Sequence, residues 1–181
     1  RFGGDPSRLL LAGESAGGNL CASLALLLCK KQPEPWAEHA FSLGQVPRAV
    51  LPACGIFAVS DSARFRREHG RGRFDDAVLQ FIEKTYLPNE SGIPALANPL
   101  YGLEEEQPMD RPLPPFFIPV GGSDPLLSDS ERLHLALKRR KVQTDLRIYP
   151  RQGHAFHVFL WREPARQCWR DMFSFAQRYA F

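Results

Sequence analysis

Three short apolar runs and a fourth segment of alternating polar and apolar residues are interleaved along this chain with longer segments of helical spacing. Leu9 to Ala12 is the first, bounded by Asp5-Pro6 and Gly13, and its unbroken apolar character predicts a strand buried on both faces. Ala16 to Lys31 is dense in Ala and Leu, carries a Lys pair in its last turn and meets Pro33 just beyond, which predicts a helix and its stop. Arg48 to Leu51 is the second run, closed by Pro52, and Phe116 to Val120 is the third, ending in Gly121-Gly122. A helix is expected from Ser128 to Lys141, with Ser128 as N-cap and Glu131 at the capping-box position. Asp145 to Tyr149 alternates polar and apolar, which predicts an edge-ward strand. A last amphipathic helix is expected from Pro164 to Tyr179, with Trp169, Phe173 and Ala176 on one side.

The segment from Ser60 to about Tyr101 is polar and charged, with one amphipathic helix expected from Asp75 to Tyr86, where Val78, Leu79, Ile82 and Tyr86 lie near helical spacing. It reads as a cap or lid insertion over about residues 60–100. Pro94, Pro99, Pro108, Pro112, Pro114 and Pro115 then mark an irregular connection. Strands that alternate with helices argue for an α/β fold, a mostly parallel sheet with helices on both faces, in which sites gather at the carboxyl ends of the strands.

Composition narrows the class without changing the fold. The chain has 181 residues, 44% hydrophobic and 24% charged, the profile of one globular domain. Its longest apolar stretch, Leu20 to Cys29, falls short of the roughly 18 residues that span a bilayer. The net charge of +3 is small, and the most basic segment, Arg64 to Arg73, is interrupted by Glu68 and followed by Asp75 and Asp76, so a solvated loop is expected there and no nucleic-acid site. Cys21, Cys29, Cys54 and Cys168 form no Cys-x-x-Cys pair and do not cluster with histidine. Neither a structural zinc site nor a disulfide framework is implied, and a reducing, cytoplasmic setting fits. The sequence opens on Arg1-Phe2 without an initiator Met, the mark of a fragment, and any signal peptide or anchor would lie upstream.

The chemistry concentrates in three places. Gly13-Glu14-Ser15-Ala16-Gly17 matches Gly-x-Ser-x-Gly between an expected strand and an expected helix, the context in which a serine sits on a strained turn with its hydroxyl clear of the sheet. The glycines on either side are expected to let strand and helix pack closely, and the Ala16 amide at the helix start is the candidate oxyanion donor. A plain helix N-cap is the alternative role for Ser15. Asp124 follows the third run across Gly121-Gly122-Ser123, and His154 lies in the loop after the fourth, so both fall at carboxyl ends of strands. Taken singly, Asp124 reads as a turn residue and His154 as a solvated loop residue. Together the order Ser, Asp, His, each after a successive strand, is that of the α/β-hydrolases. Asp129 and His157 are the rival acid and base. Asp129 falls in the first turn of a helix, where the dipole accounts for a carboxylate, and His157 lies between Phe156 and Val158, buried or on the substrate side.

These residues resemble a known family. Phe2-Gly3-Gly4-Asp5-Pro6 leading into Gly-Glu-Ser-Ala-Gly-Gly, then Gly121-Gly122-Ser123-Asp124-Pro125-Leu126, then Gly153-His154-Ala155-Phe156 are similar to three successive signatures of the hormone-sensitive-lipase-like α/β-hydrolases, over nearly the whole chain. The resemblance implies Ser15, Asp124 and His154 as a catalytic triad, a pocket for acyl and alcohol groups built partly from Ser60 to Leu96, and hydrolysis of esters with short to medium acyl chains. Glu14, Phe156 and His157 are the candidate substrate-side residues, and Phe57, Phe65, Phe74, Phe156 and Phe159 are candidates for either an apolar pocket or the core. The partner is a small-molecule ester, with a homodimer as a further expectation; no metal or organic cofactor is called for. An amidase, deacetylase or peptidase on the same triad and a non-catalytic ligand-binding relative are the alternatives, and the intact triad argues against the last.

Two features depart from the family. Glu14 stands where Asp is usual; Glu also occurs in the type-B carboxylesterases, against which Asp124-Pro125-Leu126 argues. The His-Gly-Gly-Gly stretch that completes the oxyanion hole is absent from this sequence, as are the first strands of the sheet. Losing one oxyanion donor costs about 3 to 4 kcal/mol of transition-state stabilisation, so the chain by itself is expected to be nearly inactive and poorly folded, with an unpaired sheet edge.

Overall fold

The structure is a computed structural model that describes residues 3–61, 63–64, 76–87, 95–105 and 107–180. Four parallel strands form one sheet in the order β1 (Leu10–Glu14), β2 (Ala49–Ala53), β3 (Phe116–Gly121) and β4 (Thr144–Tyr149). The helices are α1 (Ala16–Cys29), α2 (Pro35–Ser42), α3 (Asp76–Tyr86), α4 (Pro99–Glu104), α5 (Leu127–Arg139) and α6 (Glu163–Ala180). The parallel α/β architecture expected from the sequence is therefore present.

Strand alternation sorts the core into two layers. Val50, Phe116 and Ile118 point to one face, where Cys21, Ala22, Ala25 and Leu26 of α1 and Leu133, Ala136 and Leu137 of α5 cover them. Ala49, Leu51, Phe117 and Tyr149 point to the other, against Cys168, Met172 and Phe175 of α6. The buried stripe of α6 runs Ala165, Cys168, Met172, Phe175, one step round the helix from the face expected; Phe173 is 60% exposed and lies against the Trp169 ring. A 3.6-residue period fits neighbouring stripes almost equally well in an aromatic-rich helix, and only the sheet decides which one is covered.

Several local expectations are corrected. β1 is only partly buried, because it is an edge strand of the sheet among the described residues. β2 runs through Pro52 to Ala53 instead of ending there. Val50 and Cys54 donate to the carbonyls of Pro115 and Pro119 across the ladder, and Pro52, halfway between them, has no N–H to give. β4 is an edge strand among the described residues, as expected. Ser128 is not an N-cap: α5 starts at Leu127. α2 and α4 were not anticipated, and both begin with a proline at the first helical position, which reads equally as a loop marker and as a helix start.

The expected solvated loop at Arg64 to Arg73 is corrected at its first residue, the remainder lying outside the described residues. Arg64 is 3% exposed and forms a two-pronged ion pair with the fully buried Asp129 of α5. Asp129 also accepts from the amides of Phe57 and Ala58. The rival acid thus has a structural partner that no local pattern announces.

Candidate active site

The carboxyl ends of the strands converge on one point. β1 delivers Ser15 with φ 55° and ψ −113°, a backbone region that a residue bearing a Cβ avoids. Its amide donates to the Ala53 carbonyl at 2.9 Å, which ties the turn to the end of β2. Gly13 makes the turn possible: a Cβ there would stand 2.3 Å from the Gly17 carbonyl oxygen. A Cβ on Gly17 meets nothing within 4 Å, so the expectation that both motif glycines are needed for close packing holds for one of them. The second close approach is at Gly18, where a Cβ would lie 3.0 Å from the Cα of Gly55.

Ser15 occupies the N-cap position of α1 but makes no side-chain capping bond. Its Oγ lies 3.0 Å from His154 Nε2 instead, across 139 residues of sequence. His154 Nδ1 lies 3.0 Å and 3.2 Å from the two oxygens of Asp124. A carboxylate only accepts, so Nδ1 carries the proton in the neutral ring, and Nε2 is free to accept from the Ser15 hydroxyl. Asp124 is 2% exposed, and its Oδ1 also accepts from the Leu126 amide at 2.8 Å, a turn that fixes the carboxylate on the loop after β3. The structure thus brings together the three residues singled out from the sequence.

Burial opposes a charge on His154, but the hydrogen bond and negative charge of Asp124, with a further contribution from Glu14, outweigh it and raise its pKa above the ordinary 6.5. Glu14 Oε1 stands 3.4 Å from His154 Nε2, on the Ser15 side of the ring, buried and without a hydrogen-bond partner. Ala16 opens α1, where the first amides of a helix have no intrahelical acceptor. Phe156 and His157 are placed behind the site instead of on an open wall. Phe156 is 2% exposed and packs on Tyr149, and His157, 4% exposed, sits edge-on to Phe156 and Trp169. Burial, then the neighbouring His154, push the His157 pKa down, which keeps this rival base neutral and out of reach of solvent. Phe57 is fully buried in the core, Phe159 rests partly exposed on Trp161, and Phe65 and Phe74 lie outside the described residues.

Cys54 was not singled out from the sequence. It follows β2 as Ser15 follows β1, and that placement at a strand's carboxyl end is the signal that was available. Its side chain is fully buried, and burial, then the charge of Asp124, push its thiol pKa well above the ordinary value. Among the described residues, Cys54, Asp124 and His154 form the one grouping with metal-ligating chemistry, their ligand atoms all within 4.8 Å of one another. Asp124 and His154 are already engaged with each other by hydrogen bonds.

A sequence model of the alpha/beta hydrolase fold family matches residues 1–158, and the chain belongs to that family. Solved structures agree on the fold. An esterase from the bacterial hormone-sensitive lipase family superposes with a TM-score of 0.74 at 24% identity, over 99% of this chain and 56% of that one. The structure of EstE5 soaked with p-nitrophenyl butyrate gives 0.72 at 24%, over 98% and 55%. The Pyrobaculum calidifontis esterase gives 0.71 at 19%, over 99% and 54%. The chain spans little more than half the length of these relatives. Among the described residues no helix is long and apolar enough to cross a membrane.

Proposed function

We propose that this chain carries the nucleophile, base and acid of a serine hydrolase of the hormone-sensitive-lipase-like group, acting on carboxylic esters with short to medium acyl chains. The observation that carries the reading is the unbroken relay of Ser15 Oγ to His154 Nε2 at 3.0 Å and His154 Nδ1 to Asp124 at 3.0 Å, with the serine on a strained strand-to-helix turn. Ser15 attacks the ester carbonyl while His154 takes its proton. Asp124 holds the tautomer and stabilises the imidazolium. The tetrahedral oxyanion forms beside the Ala16 amide, the alcohol leaves with the proton from His154, and a water activated by His154 releases the acid from the acyl-enzyme. The segment around residues 60–100 is assigned to a cap over the acyl and alcohol pocket.

The test is labelling of the protein in an extract of its natural source with a fluorophosphonate probe, with the adduct located by mass spectrometry and the intact mass of the labelled chain recorded. Label on Ser15, lost in Ser15→Ala, is expected, together with faster turnover of p-nitrophenyl butyrate than of the matched anilide. An abundant, folded and unlabelled protein would sink the proposal, and an anilide rate equal to or above the ester rate would replace the esterase assignment by an amidase.

A further inference from the structure

The chain that bears His154 continues into an apolar stretch that the relay does not use. Val158, Phe159, Leu160 and Trp161 are consecutive, and all of them are exposed, Trp161 to 75%. The Phe159 and Trp161 rings meet edge-on with their centroids 5.2 Å apart. A run of apolar side chains facing water marks a surface meant to be covered. Its backbone is satisfied from within. The amides of Val158, Phe159, Leu160 and Arg162 donate to the carbonyls of Ala155, Phe156, Val158 and Phe159, and the Arg166 guanidinium donates to those of Leu160 and Trp161. A loop paired in this way can enter an apolar layer without stranding main-chain polar groups. A loop that received a peptide strand would keep such groups open for it.

Charge points the same way. Residues 151–181 hold Arg151, Arg162, Arg166, Arg170 and Arg178 against Glu163 and Asp171. That excess of three positive charges equals the +3 of the whole chain, so the rest of the sequence is balanced. Arg162 directly follows the apolar run, and Arg166 and Arg170 share Glu163 in α6, which leaves the group net positive. We propose that the loop of residues 158–161 is a docking surface for an anionic lipid layer: Leu160 and Trp161 enter the acyl boundary, and Arg162, Arg166 and Arg170 meet the headgroup phosphates. Tryptophan suits that boundary, since its ring is apolar and its N–H is polar. The docking surface stands on these observations alone. Its use, which is to bring the site to esters carried in the layer, rests on the serine-hydrolase reading.

The experiment takes the full chain as its natural source makes it, with vesicles of phosphatidylcholine alone or with about a quarter phosphatidylglycerol, and reads sedimentation and tryptophan emission at low and high salt. The wild type is expected to sediment with the anionic vesicles, with its emission shifted to the blue, and to be released by salt. Leu160→Ser combined with Trp161→Ser is expected to weaken binding about tenfold or more and to abolish the shift, and Arg162→Gln to weaken it about fivefold. All three side chains are exposed, so the variants are expected to keep the fold. Should the double variant fail to fold, Trp161→Ser decides alone: a lost shift upholds the surface, and a kept one refutes it. A wild type that stays in solution overturns the proposal, and so does binding that needs Arg162 but not the apolar pair. A dimer that Trp161→Ser dissociates, without vesicle binding, overturns it in favour of a second copy on this face. Fluorophosphonate labelling of the same samples separates the two readings. Vesicle binding by a protein that never labels keeps the surface and removes the hydrolase, whereas a labelled Ser15 in a protein that ignores vesicles does the reverse.

Discussion

At the scale of single residues, the site is governed by how charge is distributed around one imidazole. His154 has Asp124 at Nδ1 and Glu14 near Nε2, two carboxylates on opposite sides of the ring. Both favour the protonated ring, and they prevail over burial. The neutral ring is the base, so activity is expected to rise with pH through a limb that lies above the ordinary histidine value. The same raised pKa contributes stability that is complete below the unfolded-state value and is lost as pH rises through the folded one. Glu14→Gln removes one of the two charges and keeps the shape. The limb is expected to move down, and only slightly, because Glu14 is partly solvated and its charge partly screened. A pH profile of kcat/KM measures it, and an upward shift or none would show that Glu14 does not act on the ring. The residue types and their order were legible in the sequence, since Gly-x-Ser-x-Gly carries a local signature and Asp124 and His154 follow later strands in the hydrolase order. Glu14 and Cys54 were less so: what gives them a part is an approach to His154 or Asp124, and approach is a property of the fold.

At the scale of elements, the strand-to-helix turn at Ser15 divides two glycines that look equivalent in the motif. Gly13→Ala drives a methyl group into the Gly17 carbonyl, backbone against backbone, with no flexible side chain to yield. A loss of about 3 kcal/mol or more is expected in urea unfolding, with the turn at Ser15 displaced. Gly17→Ala places its methyl in open space within α1, and there the better helix propensity of alanine is expected to raise stability by about 0.5 to 1 kcal/mol. Equal effects of the two substitutions would contradict the packing described here. Helix positions were readable wherever apolar residues repeat. Their exact faces were not, as Phe173 of α6 shows; α4 falls in the stretch expected to be an irregular connection and α2 in one where no element is expected, because Pro at a first helical position and Pro in a loop are the same letter.

At the scale of the whole molecule, Asp129 joins α5 to residues distant in the sequence, holding the amides of Phe57 and Ala58 and the guanidinium of Arg64. Removing one partner of a buried pair strands the other, and Asp129→Ala is expected to cost about 3 to 5 kcal/mol. Replacing both partners, Asp129→Leu with Arg64→Met, is expected to recover part of that loss, and denaturant unfolding of the single and double variants measures the coupling. No recovery at all would show that the cost lies in the Phe57 and Ala58 amides. The sequence by itself determined the α/β class, the order of the four strands and the longer helices, and the three residues on which a hydrolase reading depends, because each is written in local periodicity, in a short motif or in its order along the chain. Only the tertiary structure decided that Asp124 and not Asp129 meets His154, that His157 is sealed against Trp169, and that Cys54 lies near the acid. Those outcomes depend on which strand ends are neighbours in the sheet, and strand pairing joins positions that the chain separates by tens of residues.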